Sequence, residues 1–424
     1  MRLRLSSRNV LLTLVLLIFA LPPIAEATNG YLVHGIGTRA KALAGAGVAL
    51  PLDALAAGTN PAGMAWVGKR YDAGLALFNP NRSYTITGAP SGFPGTFGLT
   101  PGTVDSGSET FFVPNFAGNW QISSDSTFGL AVFGQGGMNT DYPTSTFFGS
   151  SPTGINLSQL FILPTFATKL GELHSIGIAP IIAFQQFEAE GLEAFGLFSG
   201  DAANLTNNGV DDSLGFGVKI GYLGQWTDSV SLGLAYQSKV SMEEFSKYAG
   251  LFAEQGGFDI PSNIIAGIAV QMTESSVLAL DVQEISYSDV ASVSNPFFPN
   301  LGQAPLGASG GAGFGWEDMT VIKLGYEWGA GSTWKWRAGY STTDQPIPDS
   351  EVLFNILAPG VVEDHITFGF TKTKASGGAW SLALMHAPSV SVSGPNPLEA
   401  PGFQTIEIEM DQWDVEFGVS WGAN

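Results

Sequence analysis

The chain has 424 residues, with 17 Lys and Arg against 37 Asp and Glu, a formal net charge of −20 and no cysteine. A hydrophobic content of 45% excludes a disordered chain, and the lack of cysteine excludes disulfide scaffolds, iron–sulfur sites and thiol enzymes. Nucleic-acid binding is disfavoured because a phosphate footprint needs cationic side chains. Only 13% of the residues are charged, against about 25% in an ordinary soluble protein, so part of the surface is expected to face something other than water.

The first 27 residues predict a secretory signal peptide. Basic residues up to Arg8 precede an apolar stretch at residues 10–21, and Ala25-Glu26-Ala27 follows as a cleavage site. The apolar stretch is shorter than the roughly 20 residues that a membrane-spanning helix needs. We therefore expect cleavage after Ala27 and export of an acidic mature protein.

Residues 28–69 are rich in small side chains and lack the alternation seen later in the chain. Residues 53–57 form a short helix candidate, and Asn60-Pro61-Ala62 follows as a turn. In such a turn Asn can bond exposed backbone, Pro fixes the conformation and Ala permits close approach. A segment of this size is too small to be stable alone, so it is expected to pack inside the structure that the rest of the chain forms.

From residue 70 onward the hydrophobic residues recur with period 2, which indicates strands with one apolar face. Near the C-terminus, for example, Trp413, Val415 and Phe417 alternate with polar or small residues. The pattern predicts fourteen strands, at residues 70–79, 110–120, 125–134, 157–169, 174–189, 211–226, 229–244, 262–272, 276–287, 317–328, 333–343, 363–373, 379–393 and 406–421.

Strands of this kind suit either a β-sandwich or a membrane-spanning barrel. Trp328, Tyr340 and Trp421 lie at strand ends, where a barrel carries its aromatic girdle, and the number of strands is even. We therefore predict an all-β fold, a transmembrane antiparallel up-and-down β-barrel. Residues 70–424 would form the barrel, with residues 28–69 as a plug, or hatch, inside it. Short links between strands are expected at the periplasmic end, and long Gly- and Pro-rich links outside the cell.

Several motifs, in this order along the chain, resemble those of the outer-membrane long-chain fatty acid and aromatic hydrocarbon transporter family (FadL/TodX-like). The matching segments include Gly35-Ile36-Gly37-Thr38-Arg39-Ala40, Asn60-Pro61-Ala62, Lys323-Leu324-Gly325-Tyr326 and Arg337-Ala338-Gly339-Tyr340. The resemblance covers essentially the whole mature chain. It implies a fourteen-stranded barrel, an N-terminal hatch containing Asn60, Pro61 and Ala62, and energy-independent diffusion of hydrophobic ligands.

Apolar residues in the long links are the first ligand-binding candidates, because external loops are normally polar. Phe147 and Phe148 lie in one predicted loop, and Phe195, Leu197 and Phe198 lie in the next. They predict an apolar capture groove for a hydrophobic ligand. The alternative, that these side chains pack the loops onto one another, has equal weight.

Cationic residues at inward strand positions are the second set of candidates, of which Lys335 and Arg337 are the foremost. A carboxylate ligand would need such a cation near its head group. The alternative is pairing with acids in the lumen, such as Asp281, Glu317 or Glu327. This alternative is favoured, because charge pairs are common inside barrels.

The sequence offers little support for catalysis, since its four histidines are scattered and no nucleophile–base pair is recognisable. We predict a passive channel in the outer membrane of a Gram-negative cell that takes up fatty acids or hydrocarbons. Capture at external loops, transfer past the hatch and lateral release into lipid would be its steps. A general porin for polar solutes and an adhesin or structural barrel remain as alternatives.

No cofactor, metal or nucleic acid is expected to bind. The predicted partners are outer-membrane lipid and lipopolysaccharide, the hydrophobic small-molecule ligand and, during biogenesis, the barrel-assembly machinery. The protein is predicted to be a monomer.

Overall fold

The computed structural model describes residues 28–375 and 377–422, so the signal peptide predicted at residues 1–27 lies outside the described residues. The described residues form sixteen β-strands: β1 (Arg70–Thr87), β2 (Gly102–Asp105), β3 (Phe111–Gln121), β4 (Ser126–Tyr142), β5 (Thr153–Leu170), β6 (His174–Glu190), β7 (Asp211–Thr227), β8 (Val230–Gln237), β9 (Ser241–Met242), β10 (Asn263–Thr273), β11 (Ser276–Ile285), β12 (Met319–Trp328), β13 (Trp334–Thr342), β14 (Asp364–Thr373), β15 (Ala379–Pro395) and β16 (Thr405–Trp421).

Fourteen of these strands form one closed antiparallel barrel. Consecutive barrel strands pair with each other, and β16 pairs back onto β1, with Tyr71 opposite Trp421 and Thr87 opposite Thr405. The short strands β2 and β9 pair with β1 and β7 outside this circuit. Closure gives every one of the fourteen described barrel strands a partner on both sides, as a bilayer requires. The predicted fold class is confirmed.

The alternation of side chains along each strand separates a lipid-facing surface from a lumen. In β16 the outward positions carry Trp413, Val415 and Phe417, whereas the inward positions carry the buried acids Asp414 and Glu416. Aromatic rings also cluster near the short links, at the level expected for a membrane girdle. Members of this cluster are Tyr326, Trp328, Trp334, Trp336, Phe368, Phe370 and Trp380.

Several strand boundaries predicted from the sequence are wrong. The predicted strands end at residues 79 and 134, but residues 80–87 and 135–142 continue β1 and β4, which reach 18 and 17 residues. About 9–11 tilted residues span a bilayer, so these strands extend beyond it on the external side. The predicted strand at residues 229–244 is divided into β8 and β9, because Val240 between them pairs with Ile260 of a long loop.

Links at the two ends of the barrel differ in length as predicted. Residues 228–229 and 274–275 join successive strands at one end, whereas residues 286–318 and 343–363 form long links at the other. Short links mark the periplasmic end of a bacterial barrel. No helix in the described part of the chain is long and apolar enough to cross a membrane. The long links carry short helices at Glu193–Phe198, Ala202–Asn204, Ser246–Tyr248, Ala253–Gly256, Tyr287–Asp289, Ala291–Ser294, Asn300–Gly302, Asp349–Glu351 and Val352–Asn355.

The N-terminal segment, residues 28–69, has little regular structure of its own. It contains an α-helix at Thr38–Lys41 and 3-10 helices at Ala54–Gly58 and Pro61–Ala65. Most of its side chains are buried, although it is too short to form a core by itself. Its contacts with inward residues of the barrel strands supply that burial.

Candidate functional site

Ionic contacts join the N-terminal segment to the inner face of β16. The Lys41 Nζ atom lies 2.6 Å from a carboxylate oxygen of Asp414 and 3.2 Å from one of Glu416. The Thr38 hydroxyl donates a hydrogen bond of 2.7 Å to Glu416. Both acids are buried, so Lys41 compensates charges that would otherwise be strongly unfavourable in the lumen.

Lumen charges on the opposite wall bind the backbone of the same segment. The Asp281 carboxylate in β11 accepts hydrogen bonds from the backbone N–H groups of Gly47 (2.7 Å) and Val48 (2.9 Å). The Lys323 ammonium in β12 donates to the His34 carbonyl oxygen over 2.9 Å. Lys219 in β7 similarly donates to the backbone of this segment, at the Gly58 carbonyl oxygen. The segment is therefore tethered around most of the barrel circumference.

Asn60-Pro61-Ala62 form a capped turn that is bonded to the wall. The Asn60 side-chain oxygen accepts from the backbone N–H of Ala62 at 3.1 Å, and Pro61 occupies the first helical position, which favours proline. The Asn60 amide donates to the carbonyl oxygens of Val48 (2.8 Å) and Tyr222 (2.9 Å). Asn60 thereby joins two parts of the N-terminal segment to β7. The geometry matches the predicted turn, and its role in transport stays a prediction.

The start of the N-terminal segment fills an irregularity in β4. The register between β4 and β5 shifts at Gly134–Gly136, which marks a β-bulge. The Val33 N–H donates to the Gln135 carbonyl, and the Gly137 N–H donates to the Tyr31 carbonyl, both over 2.9 Å. A Cβ atom on Gly136 would lie 2.2 Å from the Tyr31 carbonyl oxygen, so only glycine permits this approach.

A second irregularity lies one strand further along. Residues 163–165 of β5 and 179–181 of β6 are not paired with each other, although pairing is present on both sides of them. The register places Pro164 opposite Pro180 at the centre of this interruption. Since proline has no N–H, the two ladder hydrogen bonds of this pair cannot form.

The apolar loop residues fall into an exposed set and a buried set. Phe148, Leu197 and Phe198 are 55%, 94% and 38% exposed, whereas Phe147 and Phe195 are buried. Phe147 and Phe195 are in ring contact at 5.2 Å between centroids. Phe147 and Phe195 thus match the alternative of equal weight, that these side chains pack the loops together, whereas the other three are accessible. Ligand binding by any of the five stays a prediction.

Aromatic rings continue from the exposed Phe148 into the interior. Phe148 contacts Phe97, and Phe97 contacts Phe195, with centroids 5.4 and 5.7 Å apart. Phe195 in turn contacts Phe354 at 6.0 Å. Asn355, the next residue, accepts a hydrogen bond from the Trp316 indole N–H at 2.6 Å.

The inner end of this aromatic series reaches the N-terminal segment. The Trp316 ring lies 5.8 Å from that of Tyr31, and Tyr31 also contacts Tyr287 at 5.2 Å. Tyr31 is the residue whose carbonyl is bonded to the bulged strand β4. A continuous set of contacts therefore leads from the exposed Phe148 to the bulge.

The two cationic candidates are bound to an acid of the neighbouring strand. Arg337 lies 2.6 Å from Glu327 and donates to the Thr371 hydroxyl at 2.7 Å. Lys335, which is half-exposed, lies 3.8 Å from the same carboxylate. This arrangement is the pairing with lumen acids that the sequence favours, over ligand binding, for Lys335 and Arg337. A carboxylate ligand at Arg337 would have to displace Glu327.

Two ionisable residues of the N-terminal segment are perturbed in opposite directions. Burial, followed by the neighbouring Asp72 carboxylate, raises the pKa of Asp53 to about 6. Burial, followed by the neighbouring His365, lowers the pKa of His34 well below its ordinary value of 6.5. The rings of His34 and His365 are stacked with centroids 5.3 Å apart. Both burial effects disfavour the charged form in the docked segment.

Sequence reasoning placed Tyr31 in the hatch without giving it a role, and it missed the β4 bulge and the proline pair. The run Gly134-Gln135-Gly136-Gly137, which begins at the last residue of a predicted strand, was an available signal, since glycine in a strand often marks a bulge. Pro164 and Pro180 were also visible, but their alignment depends on the strand register. The described residues contain no group of three or more His, Asp or Glu side chains that could hold a metal ion.

A protein-family model, described as outer membrane protein transport protein (OMPP1/FadL/TodX), matches residues 25–359. The chain belongs to this family. The resemblance seen in the sequence is thereby confirmed, and this member of the OMPP1/FadL/TodX family is an outer-membrane transport barrel. The family is one of transport channels rather than of enzymes.

Solved structures of similar fold agree with this assignment. The P. putida toluene transporter TodX is 16% identical, with a TM-score of 0.66, and the match covers 91% of this chain and 98% of that one. A Pseudomonas aeruginosa FadL homologue is 16% identical, with a TM-score of 0.69 and coverages of 93% and 100%. The Ralstonia pickettii toluene transporter TbuX is 15% identical, with a TM-score of 0.59 and coverages of 90% and 98%. No curated protein matches the chain.

Proposed function

We propose that this protein takes up hydrophobic molecules, fatty acids or hydrocarbons, by capture at its external loops, transfer past a hatch and lateral release into lipid. The hatch is residues 28–69, and the barrel is formed by residues 70–424. The observation that carries the proposal is the contact path from the exposed Phe148 to Tyr31 at the β4 bulge, which consists of aromatic rings joined at one step by the Asn355–Trp316 hydrogen bond.

Capture begins at the exposed patch formed by Phe148, Leu197 and Phe198. These side chains lose contact with water when an apolar molecule covers them, which favours binding by roughly 25 cal/mol for each Å² buried. Behind the patch, the buried rings of Phe195 and Phe354 present only apolar surface to a ligand that displaces them. The path therefore offers a hydrophobic molecule successive contacts of the same chemistry.

The hatch closes the lumen in the resting state. Cavities beside His34 and beside Trp316 have volumes of only about 40 and 20 Å³. A cavity of about 150 Å³ holds a molecule as small as benzene, so neither of these two cavities admits such a ligand unless the N-terminal segment moves. This closure disfavours a general porin, whose polar solutes need an open lumen.

Lateral release occurs where the wall is weakest. At the β4 bulge, the backbone groups of Gln135 and Gly137 are bonded to Val33 and Tyr31 in the place of β3, whose pairing with β4 ends at Phe133. When the N-terminal segment withdraws, these bonds break and open a side passage toward lipid. A side passage keeps the ligand out of the aqueous periplasm, in which it is poorly soluble.

Uptake into lipid vesicles tests this proposal with three solutes: a long-chain fatty acid, a monoaromatic hydrocarbon and a small sugar. Uptake of at least one of the first two without sugar entry is expected. Phe148→Ser with Leu197→Ser should slow this uptake, whereas Ile322→Ser, at an equally apolar position on the lipid-facing wall, should leave capture unchanged. Sugar entry without hydrophobic uptake would establish the porin alternative instead.

A further inference from the structure

An apolar groove of about 540 Å³ lies on the lipid-facing side of the wall, in the half of the barrel nearer the short links. Strands β5 to β8 and β10 form it. Its lining is almost wholly hydrocarbon, from outward side chains that include Phe166, Ile176, Ile178, Ile220, Leu234 and Tyr236. A barrel is convex on its outside, so a concavity of this size needs a structural cause.

The cause lies directly behind the groove. Gly177, Gly221 and Ala235 are neighbours on three successive strands and form the floor of the groove. A Cβ atom on Gly177 would lie 2.4 Å from the backbone of Ala62, and one on Gly221 would lie 2.0 Å from the Asn60 side chain. With no side chains between them, the wall is drawn inward onto the Asn60-Pro61-Ala62 turn.

Asn60 also holds one edge of the groove in place. Its amide donates a 2.9 Å hydrogen bond through the wall to the carbonyl oxygen of Tyr222, whose side chain lines the groove. The Tyr222 hydroxyl is bonded in turn to the His174 ring nitrogen at 2.8 Å. On the opposite wall, by contrast, the outward face carries the rings of Trp328, Trp336 and Phe368 in contact with one another. The groove is therefore shaped from inside by the N-terminal segment.

We infer that this groove binds one acyl chain of a phospholipid from the periplasmic leaflet. The groove is continuous with the lipid-facing belt of the barrel, and membrane lipid is its most abundant neighbour. An unfilled concavity would forfeit dispersion contacts along its whole lining, so a chain must fill it. Binding in a membrane depends on such packing, because lipid and protein surfaces are equally apolar.

Only the barrel wall, a single layer of strands, separates the bound acyl chain from the Asn60-Pro61-Ala62 turn. Binding of the acyl chain is therefore coupled to docking of the turn. While the turn is docked, the wall is drawn in and the groove accommodates the chain. Withdrawal of the turn removes the bond to Tyr222 and lets the wall move outward, which expels the chain. Membrane lipid thereby favours the docked state of the N-terminal segment. This inference concerns the resting protein and does not rest on the proposed uptake.

Photolabelling in a bilayer tests the inference. The full-length mature protein is reconstituted with a phospholipid that carries a photoreactive group in its acyl chain, and labelled peptides are mapped by mass spectrometry. We expect several-fold more labelling around Ile220 and Leu234 than around Ile322 on the opposite wall. Uniform labelling of the lipid-facing belt would overturn the site.

Matched variants sharpen the result. Ile220→Trp fills the groove and should reduce labelling there to the level of the surrounding belt. Ile322→Trp is the control, because Ile220 and Ile322 are 47% and 46% exposed. Asn60→Ala should lower groove labelling without altering the lining, and unchanged labelling in that variant would overturn the coupling. Preferential labelling by a photoreactive fatty acid over the phospholipid would overturn the assignment of the occupant.

Discussion

The wall formed by β4 to β6 differs from the opposite wall formed by β11 to β14. In β11 to β14 the pairing runs without a register shift, and Asp281 and Lys323 bind the N-terminal segment from inward positions. In β4 to β6 the ladder contains a bulge at Gly134–Gly136 and an unpaired stretch around Pro164 and Pro180. Both walls contact the N-terminal segment. Of the two, only the irregular wall has backbone groups that bond to this segment instead of to a neighbouring strand.

This difference indicates that the two walls have different roles. The regular wall supplies ionic and hydrogen-bonding tethers that hold the N-terminal segment without weakening the barrel. The irregular wall depends on the segment to satisfy its own backbone, at Gln135 and Gly137. Withdrawal of the segment should therefore open the irregular wall and leave the regular wall closed.

Deletion of residues 28–69 is expected to have the largest effect. It removes the tethers and the whole segment that packs against inward residues of the barrel strands, so small sugars should pass at a rate close to that of an open pore. Solute entry into vesicles measures the effect, and heat-dependent migration in gel electrophoresis reports whether the barrel has folded. A folded deletion variant with unchanged sugar permeability would contradict the hatch assignment.

Lys41→Met should weaken docking strongly without removing the segment. The substitution leaves Asp414 and Glu416 buried without their cation, which costs about 3–5 kcal/mol when a buried pair is broken. Denaturant unfolding in detergent and protease sensitivity of the N-terminal segment measure the change. Lys335→Met is the control, because the half-exposed pair with Glu327 is worth only about 0–1 kcal/mol. Equal effects of the two substitutions would be inconsistent with tethering by Lys41.

The double substitution Pro164→Val and Pro180→Val should make the irregular wall more like the regular one. It restores two backbone donors at facing positions, and each new ladder bond contributes about 1 kcal/mol. We expect a higher free energy of unfolding and slower release of hydrophobic ligand into lipid. An unchanged unfolding free energy would show that the ladder does not close when the donors return.

The smallest expected effect is a pH dependence of docking with two opposing contributions. The lowered pKa of His34 means that its contribution is present above pH 6.5 and is lost as the pH falls below that value. The raised pKa of Asp53 means that its contribution is present below its ordinary pKa of 3.8 and is lost as the pH rises through about 6. Each contribution changes docking by at most about 1.4 kcal/mol per pH unit.

Asp53→Asn and His34→Gln separate these contributions. Asp53→Asn should leave a segment that becomes more protease-sensitive as the pH falls below 6.5. In the His34→Gln variant, the protease sensitivity of the N-terminal segment should increase as the pH rises from 4 to 6. Identical pH profiles for the two variants would be incompatible with opposite shifts in pKa.

Much of the barrel could be predicted from the sequence, because period-2 alternation is a local property that each strand carries by itself. The alternation of Trp413, Val415 and Phe417 with acids is an example. The turn at Asn60-Pro61-Ala62 could also be predicted, since its chemistry is contained in three adjacent residues. Strand ends in β1 and β4 were missed because the outward positions become polar where the strands leave the membrane, as at Asn81 and Ser83 in β1.

The remaining features depend on contacts between residues far apart in the chain. Lys41 pairs with Asp414, and Tyr31 is bonded to Gly137, so neither contact has a signature in one sequence window. Pro164 and Pro180 weaken the wall only because the register places them opposite each other. The division of the apolar loop residues into exposed and buried ones also depends on long-range contacts, since the burial of Phe195 depends on Phe147 and Phe354 from other loops.

A reversible lock between the N-terminal segment and the irregular wall tests most directly whether that segment closes a lateral exit. The chain has no cysteine, so Val33→Cys with Gln135→Cys introduces one disulfide across the backbone-bonded positions at the β4 bulge. Leu324→Cys with Tyr340→Cys joins two facing positions of the regular wall as the control. We predict that oxidation of the first pair abolishes uptake of hydrophobic ligand into vesicles, that reduction restores it, and that oxidation of the control pair has no effect. Full uptake with the first pair oxidised would contradict release at this wall.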